Sequence, residues 1–195
     1  TVIGTDEFKR GVDGNSDINV YSSGYTPSTG VINNNWRNAY VAINTCNGVI
    51  DNVPNVDLTG DMKKRIMGEA KFIRANWYFL LVQFWGDVTL NKNFQTEPTT
   101  SATRAPLAEV YDFIEQDLKD AAQDLPQGLI SDVQPGRATK AAALHVLAKV
   151  YLTRAGSTAA KSTDYQDAYT TAKSIIDNRA TYGLSLLQDF AEVYE

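Results

Sequence analysis

The chain has 195 residues, the length of one domain, or of one domain with an appendage. Its 18 basic and 23 acidic residues leave a net charge of −5, which argues against a large phosphate-neutralising surface and so against nucleic acid as a partner. Hydrophobic residues at 43% and charged residues at 21% are globular proportions, while the lone Cys46 and lone His145 can form neither an intrachain disulfide nor a metal cluster. No cofactor is expected. The most apolar stretch, Trp77 to Trp85, is interrupted by polar residues and falls short of the ~20 residues that cross a bilayer. No charged n-region followed by an apolar h-region opens the sequence.

In chain order, residues 1–30 carry five of the 13 glycines, turn signals at Asp13-Gly14 and Thr26-Pro27, and no sustained apolar period. They read as an extended, loop-rich arm. From Trp36 the pattern changes. Trp36, Tyr40, Ile43, Asn47 and Ile50 fall on one helical stripe, predicting a first helix over about 31–52 that ends before Pro54. A second helix is expected from about Asp61 to Trp85, stopped by Gly86-Asp87. It has two apolar faces, Ile66, Ile73, Trp77 and Phe84 on one and Phe72, Ala75, Phe79 and Val82 on the other, so it should be buried between neighbours.

The Thr-, Asn- and Pro-rich stretch Thr89 to Ala105 reads as a surface connection. Pro106 at the first helical position, with Glu109 in the first turn, opens a third helix with the stripe Val110, Phe113, Ile114, Leu118, Ala121 and Leu125, ended by Pro126. A fourth, alanine-rich packing helix follows Pro135-Gly136, with Ala141, Leu144, Leu147, Ala148 and Tyr151 inward and a stop at Gly156. Thr163 and Gln166 suggest a capping box for a fifth helix over 164–179, with Tyr165, Ala168, Ala172 and Ile175 inward. Leu184 to Tyr194 resembles the start of a sixth. The alternation predicts an all-α fold of stacked antiparallel helix pairs. A Gly-x-Ala helix start at Gly68 and again at Gly136 is consistent with a helix-hairpin repeat twice the ~34-residue tetratricopeptide period. An ordinary helical bundle with chance periodicity is the competing account.

The chemical motifs are sparse. Asp13-Gly14-Asn15-Ser16-Asp17 has the D-x-N-x-D start of a calcium loop, but Ile18 occupies the position of the turn glycine and Gly24 that of the bidentate glutamate, which favours a polar turn. His145 has no Ser or carboxylate at catalytic spacing and reads as a packing or surface residue. Asp112, Glu115, Asp117, Lys119 and Asp120 could be drawn as carboxylates for acid/base work, but their spacing puts them on the solvated face of an amphipathic helix. Cys46 sits beside the first helix's stripe and reads as a small core residue rather than a nucleophile. Neither a phosphate loop nor a nucleophile elbow occurs, so an enzyme is not expected.

Most aromatics lie on helix stripes and read as core, Trp36, Trp77 and Phe113 among them. Phe8, Tyr21 and Tyr25 differ. They lie in the polar arm beside Asp6, Glu7, Arg10, Asp13, Asn15, Asp17 and Asn19. Flat apolar faces among carboxylates, amides and a guanidinium suit a sugar, whose C–H face stacks and whose hydroxyls need donors and acceptors. An ordinary ordered loop with tucked-in rings fits the same residues.

Gly68-Glu69-Ala70-Lys71-Phe72-Ile73-Arg74-Ala75, continuing through Trp77-Tyr78-Phe79 to Trp85-Gly86-Asp87-Val88, resembles the hallmark helix of the SusD/RagB family, the glycan-binding lipoproteins of the Bacteroidetes outer membrane. Arg104-Ala105-Pro106 with Glu109-Val110-Tyr111-Asp112-Phe113-Ile114 and Asp117-Leu118 is similar to the family's next helix. Gly136-Arg137-Ala138-Thr139-Lys140-Ala141-Ala142 with Leu147-Ala148-Lys149-Val150-Tyr151-Leu152 is similar to the one after it. Asp164-Tyr165 with Ala168, and then Tyr182-Gly183-Leu184, completes four blocks in family order over about Trp36 to Glu195.

The resemblance implies a right-handed superhelix of tetratricopeptide-like antiparallel helix pairs, with 1–30 as the loop-rich arm and 31–195 as the helix pairs of one N-terminal domain. It implies a noncatalytic surface lipoprotein that captures an oligosaccharide or polysaccharide and delivers it to a TonB-dependent, SusC-type outer-membrane transporter. Members are much longer, so the chain is expected to be an N-terminal portion whose signal peptide and lipid-anchoring cysteine lie upstream of Thr1; Cys46 is not that anchor. The loop after a Thr-Asp-Glu segment contributes sugar contacts in the family, which makes Phe8, Arg10, Asp13, Asn15, Asp17 and Tyr21 the candidate glycan contacts here. Asn15 stands at the family's asparagine. Arg10 and Val12 stand where rings would be, which leaves room for a more charged or polar glycan. A tetratricopeptide-like protein- or peptide-binding scaffold is the alternative function.

Overall fold

The computed structural model describes residues 24, 26, 28–128 and 136–186, and divides into two compact units, Thr1–Tyr40 and Val41–Glu195. The described residues form five α-helices: α1 Gly30–Asn52, α2 Gly60–Trp85, α3 Leu107–Asp124, α4 Lys140–Ala155 and α5 Asp164–Asp177, with a short 3-10 turn Val53–Asn55 after α1. No strand occurs among them, and a single antiparallel bridge pairs Val88 with Ala105. The protein is therefore all-helical, as its apolar periods predict. The tail does not extend this pattern: residues 184–186 are not helical, and the remainder of the expected sixth helix lies outside the described residues.

In the first unit, Thr29 organises the approach to α1. Its hydroxyl accepts from Thr26 N at 2.8 Å and donates to the Gly24 carbonyl at 3.1 Å. One turn on, the Trp36 and Tyr40 rings meet at 4.9 Å and 51°, the i, i+4 contact that a helix surface allows.

In the second unit each helix from α2 onward packs on the next: α2 on α3, α3 on α4 and α4 on α5. Thr59 caps α2 by accepting from Met62 N, and Gly86 closes it at φ 65°, a conformation that suits glycine. The Val88–Ala105 bridge, with Ala105 N donating to Val88 O at 2.9 Å, ties the two ends of the long 89–104 connection together before α3 starts. The core between α2, α3 and α4 centres on Ala121, Ala122, Leu125 and Ala143, with Phe72, Ala138 and Leu144 against it. Gly68 permits the close α2–α3 approach, since a Cβ there would meet Asp124 Cβ at 3.1 Å and Leu125 Cγ at 3.2 Å.

Four expectations are corrected. The α2 face carrying Ile66, Ile73, Trp77 and Phe84 is not enclosed, because Ile73 is 45% and Phe84 68% exposed. The helix buries Ala75, Phe79 and Val82 of the other expected face, together with the stripe of Ala70, Arg74, Tyr78 and Leu81. Gly68 and Gly136 are not equivalent helix starts: Gly68 lies inside α2, while Gly136 precedes α4 at φ 91°. The α5 capping box does not form. Thr163 makes no side-chain cap, and Gln166 turns forward to donate to Thr170 Oγ1 at 3.1 Å. Lastly, Tyr165 faces outward at 66% exposure and Ala172 is exposed, while Asp164 and Ala168 take the buried positions.

Candidate functional site

The candidate glycan contacts Phe8, Arg10, Asp13, Asn15, Asp17 and Tyr21 all precede Gly24 and lie outside the described residues, as does the calcium-like run from Asp13 to Asp17. Among the described residues, the polar chemistry gathers around two buried arginines.

Arg74 occupies the middle of α2 and is 5% exposed. Its Nε and Nη2 donate to the two oxygens of Asp117 at 2.8 Å each, a bidentate fork that fixes α2 against α3. Nη1 donates to Asn47 Oδ1 at 2.6 Å and to the Lys92 carbonyl at 3.1 Å. The guanidinium carbon lies 4.7 Å from the centroid of the Phe113 ring, which also meets Tyr78 edge-on. A charge removed from water this far needs all of these partners.

The same network grips the connection after α2. Asn47 Nδ2 donates to the carbonyls of Asn91 and Asn93, both at 3.0 Å. The Tyr78 hydroxyl accepts from Asn91 N at 2.8 Å and donates back to Asn91 O at 3.1 Å. Asp51 accepts from Phe94 N at 2.8 Å, and Asn44 pairs with both backbone groups of Gln95, at 2.8 and 3.0 Å. Side chains of α1 and α2 thus satisfy seven backbone groups within residues 91–95.

Arg154, at the end of α4 and 1% exposed, anchors the second cluster. Its Nη2 donates to Asp164 Oδ1 at 2.6 Å and its Nη1 to Glu115 Oε2 at 2.8 Å, so one guanidinium joins α3, α4 and α5. Lys119 donates to Glu115 Oε1 at 2.7 Å, the Tyr151 hydroxyl donates to the same oxygen at 3.1 Å, and Lys161 pairs with Asp112 at 2.6 Å. Burial alone would raise the Glu115 carboxyl, but the hydrogen bonds from Lys119 and Arg154 bring it down to about 2. Burial and the neighbouring Glu115 carboxylate push Tyr151 up to about 12. Near neutrality both groups are locked in one charge state, whereas proton transfer calls for a group that titrates near the working pH. This cluster is a structural pin.

The acidic residues of α3 are therefore not one solvated face. Asp112 and Lys119 are exposed as expected. Asp117 is 3% exposed on Arg74, Glu115 is held by Arg154, and Asp120 pairs with Lys71 at 2.7 Å. Spacing carries the missed signal: Asp117 stands three residues after Ile114 and four before Ala121, on the buried stripe itself. Likewise α4 is more than an alanine-rich packing helix, since Arg154 continues the buried line of Leu147, Val150 and Tyr151. Cys46 is 6% exposed, with its thiol raised by burial, and packs as a core residue. His145 lies on the exposed side of α4. Among the described residues, no three His, Cys, Asp or Glu side chains are arranged to hold a metal ion.

A family model of the SusD-like group, described as "Starch-binding associating with outer membrane", matches residues 10–152. A SusD-like protein of Formosa agariphila is 30% identical over 181 residues, which are 92% of this chain and 33% of the relative. Among solved structures, a laminarin-binding SusD-like protein is 29% identical with a TM-score of 0.71, over 82% of this chain and 34% of that one. Another, solved with a xylogluco-oligosaccharide, is 28% identical with a TM-score of 0.69, over 83% of this chain and 32% of that one. The chain spans about a third of the length of these relatives.

Proposed function

The chain belongs to the SusD-like family, and from that membership we propose that it captures an oligosaccharide or polysaccharide at the bacterial surface without cleaving it. The glycan passes to a TonB-dependent transporter of the SusC type, and a lipid anchor upstream of Thr1 holds the protein at the outer membrane. The observation that carries this reading is the family match over residues 10–152, which includes the arm from Arg10 onward, α1 to α3 and most of α4. A laminarin-binding neighbour and one solved with a xylogluco-oligosaccharide support a glycan as the ligand class. Phe8, Arg10, Asp13, Asn15, Asp17 and Tyr21 are the proposed contacts, the rings for stacking and the polar groups for hydroxyls.

Calorimetric titration of the whole protein with laminarin, xylogluco-oligosaccharides and malto-oligosaccharides tests this. Arg10→Ala combined with Asn15→Ala is expected to weaken the best ligand by about tenfold or more, the size of one or two lost hydrogen bonds to a charged or amide group. Undiminished affinity removes these residues from the site. Release of shorter sugars on prolonged incubation overturns the noncatalytic reading. Co-purification with the transporter, without binding of any glycan in the panel, favours the protein-binding scaffold.

A further inference from the structure

The connection after α2 holds an aromatic ring in an unusual setting. Phe94 lies in a run whose other side chains, Lys92, Asn93, Gln95, Thr96 and Glu97, are polar and exposed, and the ring residue itself stays 43% exposed. An unrestrained surface loop would turn such a ring inward or leave it mobile. Here the backbone on both sides of it is fixed: Asp51 accepts from Phe94 N at 2.8 Å, Asn44 holds Gln95 at both ends, and Asn47 donates to the Asn93 carbonyl at 3.0 Å. Behind the ring is Gly48 of α1, where a Cβ would come within 3.1 Å of Phe94 Cδ2 and 3.2 Å of Cε2. A glycine inside a helix destabilises it relative to alanine. At this position its missing side chain is the seat on which the ring rests.

We propose that Phe94 is a second, preorganised aromatic subsite for the glycan, its open face stacking on the C–H face of a pyranose and its polar neighbours meeting the hydroxyls. This inference rests on the glycan-capture reading and adds a contact separate in sequence from the arm. Three features favour a sugar over a protein partner. Among the described residues between Phe84 and Leu152, Phe94 is the one large hydrophobic side chain left exposed. Its neighbours along the chain, Asn93, Gln95, Thr96 and Glu97, are exposed amides, a hydroxyl and a carboxylate. The backbone is ordered beforehand by buried Arg74 and Asn47, so little entropy is lost when a ligand arrives.

The test uses the whole protein and calorimetry with laminarin, xylogluco-oligosaccharides and malto-oligosaccharides of increasing length. Phe94→Ala and Phe94→Leu are both expected to weaken the best ligand about three- to tenfold, the contribution of one aromatic stacking contact, whereas Phe94→Trp keeps or improves it. Gly48→Val, which pushes the ring off its seat, is expected to weaken binding in the same direction while the far-ultraviolet circular dichroism stays unchanged. Wild-type affinity in both Phe94→Ala and Phe94→Leu, with loss in the Arg10→Ala, Asn15→Ala variant, overturns the subsite and leaves glycan capture standing. Absence of binding to every glycan by the unaltered protein overturns capture and the subsite together. Unchanged glycan affinity with loss of transporter co-purification makes Phe94 a protein contact and overturns the proposal.

Discussion

Arg154 and Asp164 are 1% and 0% exposed, and their charges are kept in the interior by pairing, Asp164 on Arg154 and Arg154 on both Asp164 and Glu115. Burial alone would raise the Asp164 carboxyl, but hydrogen bonds from Arg154 and from Lys161 N hold it below its ordinary value. Removing Asp164 takes away the shorter of the two ion pairs on a buried guanidinium and leaves Glu115 to balance it, so Asp164→Ala is expected to cost about 3 kcal/mol, the low end for a broken buried pair, in urea unfolding at neutral pH. The double variant Arg154→Met, Asp164→Leu should regain most of that. A loss under about 1 kcal/mol in the single variant would show that the pair is solvated in solution. Glu115 adds a pH dependence. Its pKa falls from 4.5 to about 2 on folding. The unfolded chain therefore binds more protons through this window, and stability rises with pH there. The stabilisation is complete above about pH 4.5 and disappears as pH falls toward 2. Urea midpoints measured from pH 6 downward should show this loss, and Glu115→Gln should flatten that part of the curve; an unchanged slope rules out Glu115 as the responsible group.

The helix boundaries show which local signals act as the sequence suggests. Thr139 accepts from Ala142 N at 3.4 Å and starts α4, whereas Thr163 precedes α5 without a side-chain bond. Asp164, the first residue of α5, instead ties down the turn before the helix, its Oδ2 accepting from Lys161 N at 2.8 Å. Thr139→Ala should therefore cost about 1 kcal/mol and Thr163→Ala close to nothing, read from the shift in urea midpoint. Equal effects would contradict the two geometries. Starts and ends of α1 to α5 were legible because Pro54, Gly86, Pro106, Pro126 and Gly156 punctuate strong apolar stripes. What spacing alone hid was the inside of those stripes. Hydropathy assigns Arg74, Asp117, Arg154 and Asp164 to solvent, yet each stands on a buried line and is retained by its partner. The same averaging placed Tyr165 inward, although Asp164, one residue earlier, turns the helix by about 100°. The seat of Phe94 was equally hidden, since it depends on Gly48 and Asp51, more than 40 residues away in sequence.

From α2 onward α3 rests on α2, α4 on α3 and α5 on α4, so stability passes along the chain through neighbouring interfaces. The interfaces are unequal. α3 buries Val110, Tyr111, Ile114, Leu118, Ala121 and Ala122, while α5 buries only Ala168 and Asp164. The opposite side of α5 shows Tyr165, Tyr169 and Ile176 at 60–66% exposure, at i, i+4 and i+11 on one stripe. In the 195-residue chain α5 is thus held by buried Ala168, half-buried Ile175 and the Asp164–Arg154 pair, against a helix-ordering entropy that rises with every residue. Local opening of α5 should therefore precede global unfolding. Hydrogen exchange is expected to show amides of 166–177 exchanging at least about tenfold faster than those of 110–122, a difference of about 1.4 kcal/mol or more in opening free energy. Asp164→Asn should speed exchange in α5 and leave α2 and α3 nearly unchanged. Uniform protection from α2 to α5 would show instead that the helices open as one cooperative unit and that the arginine pin carries its load across the whole stack.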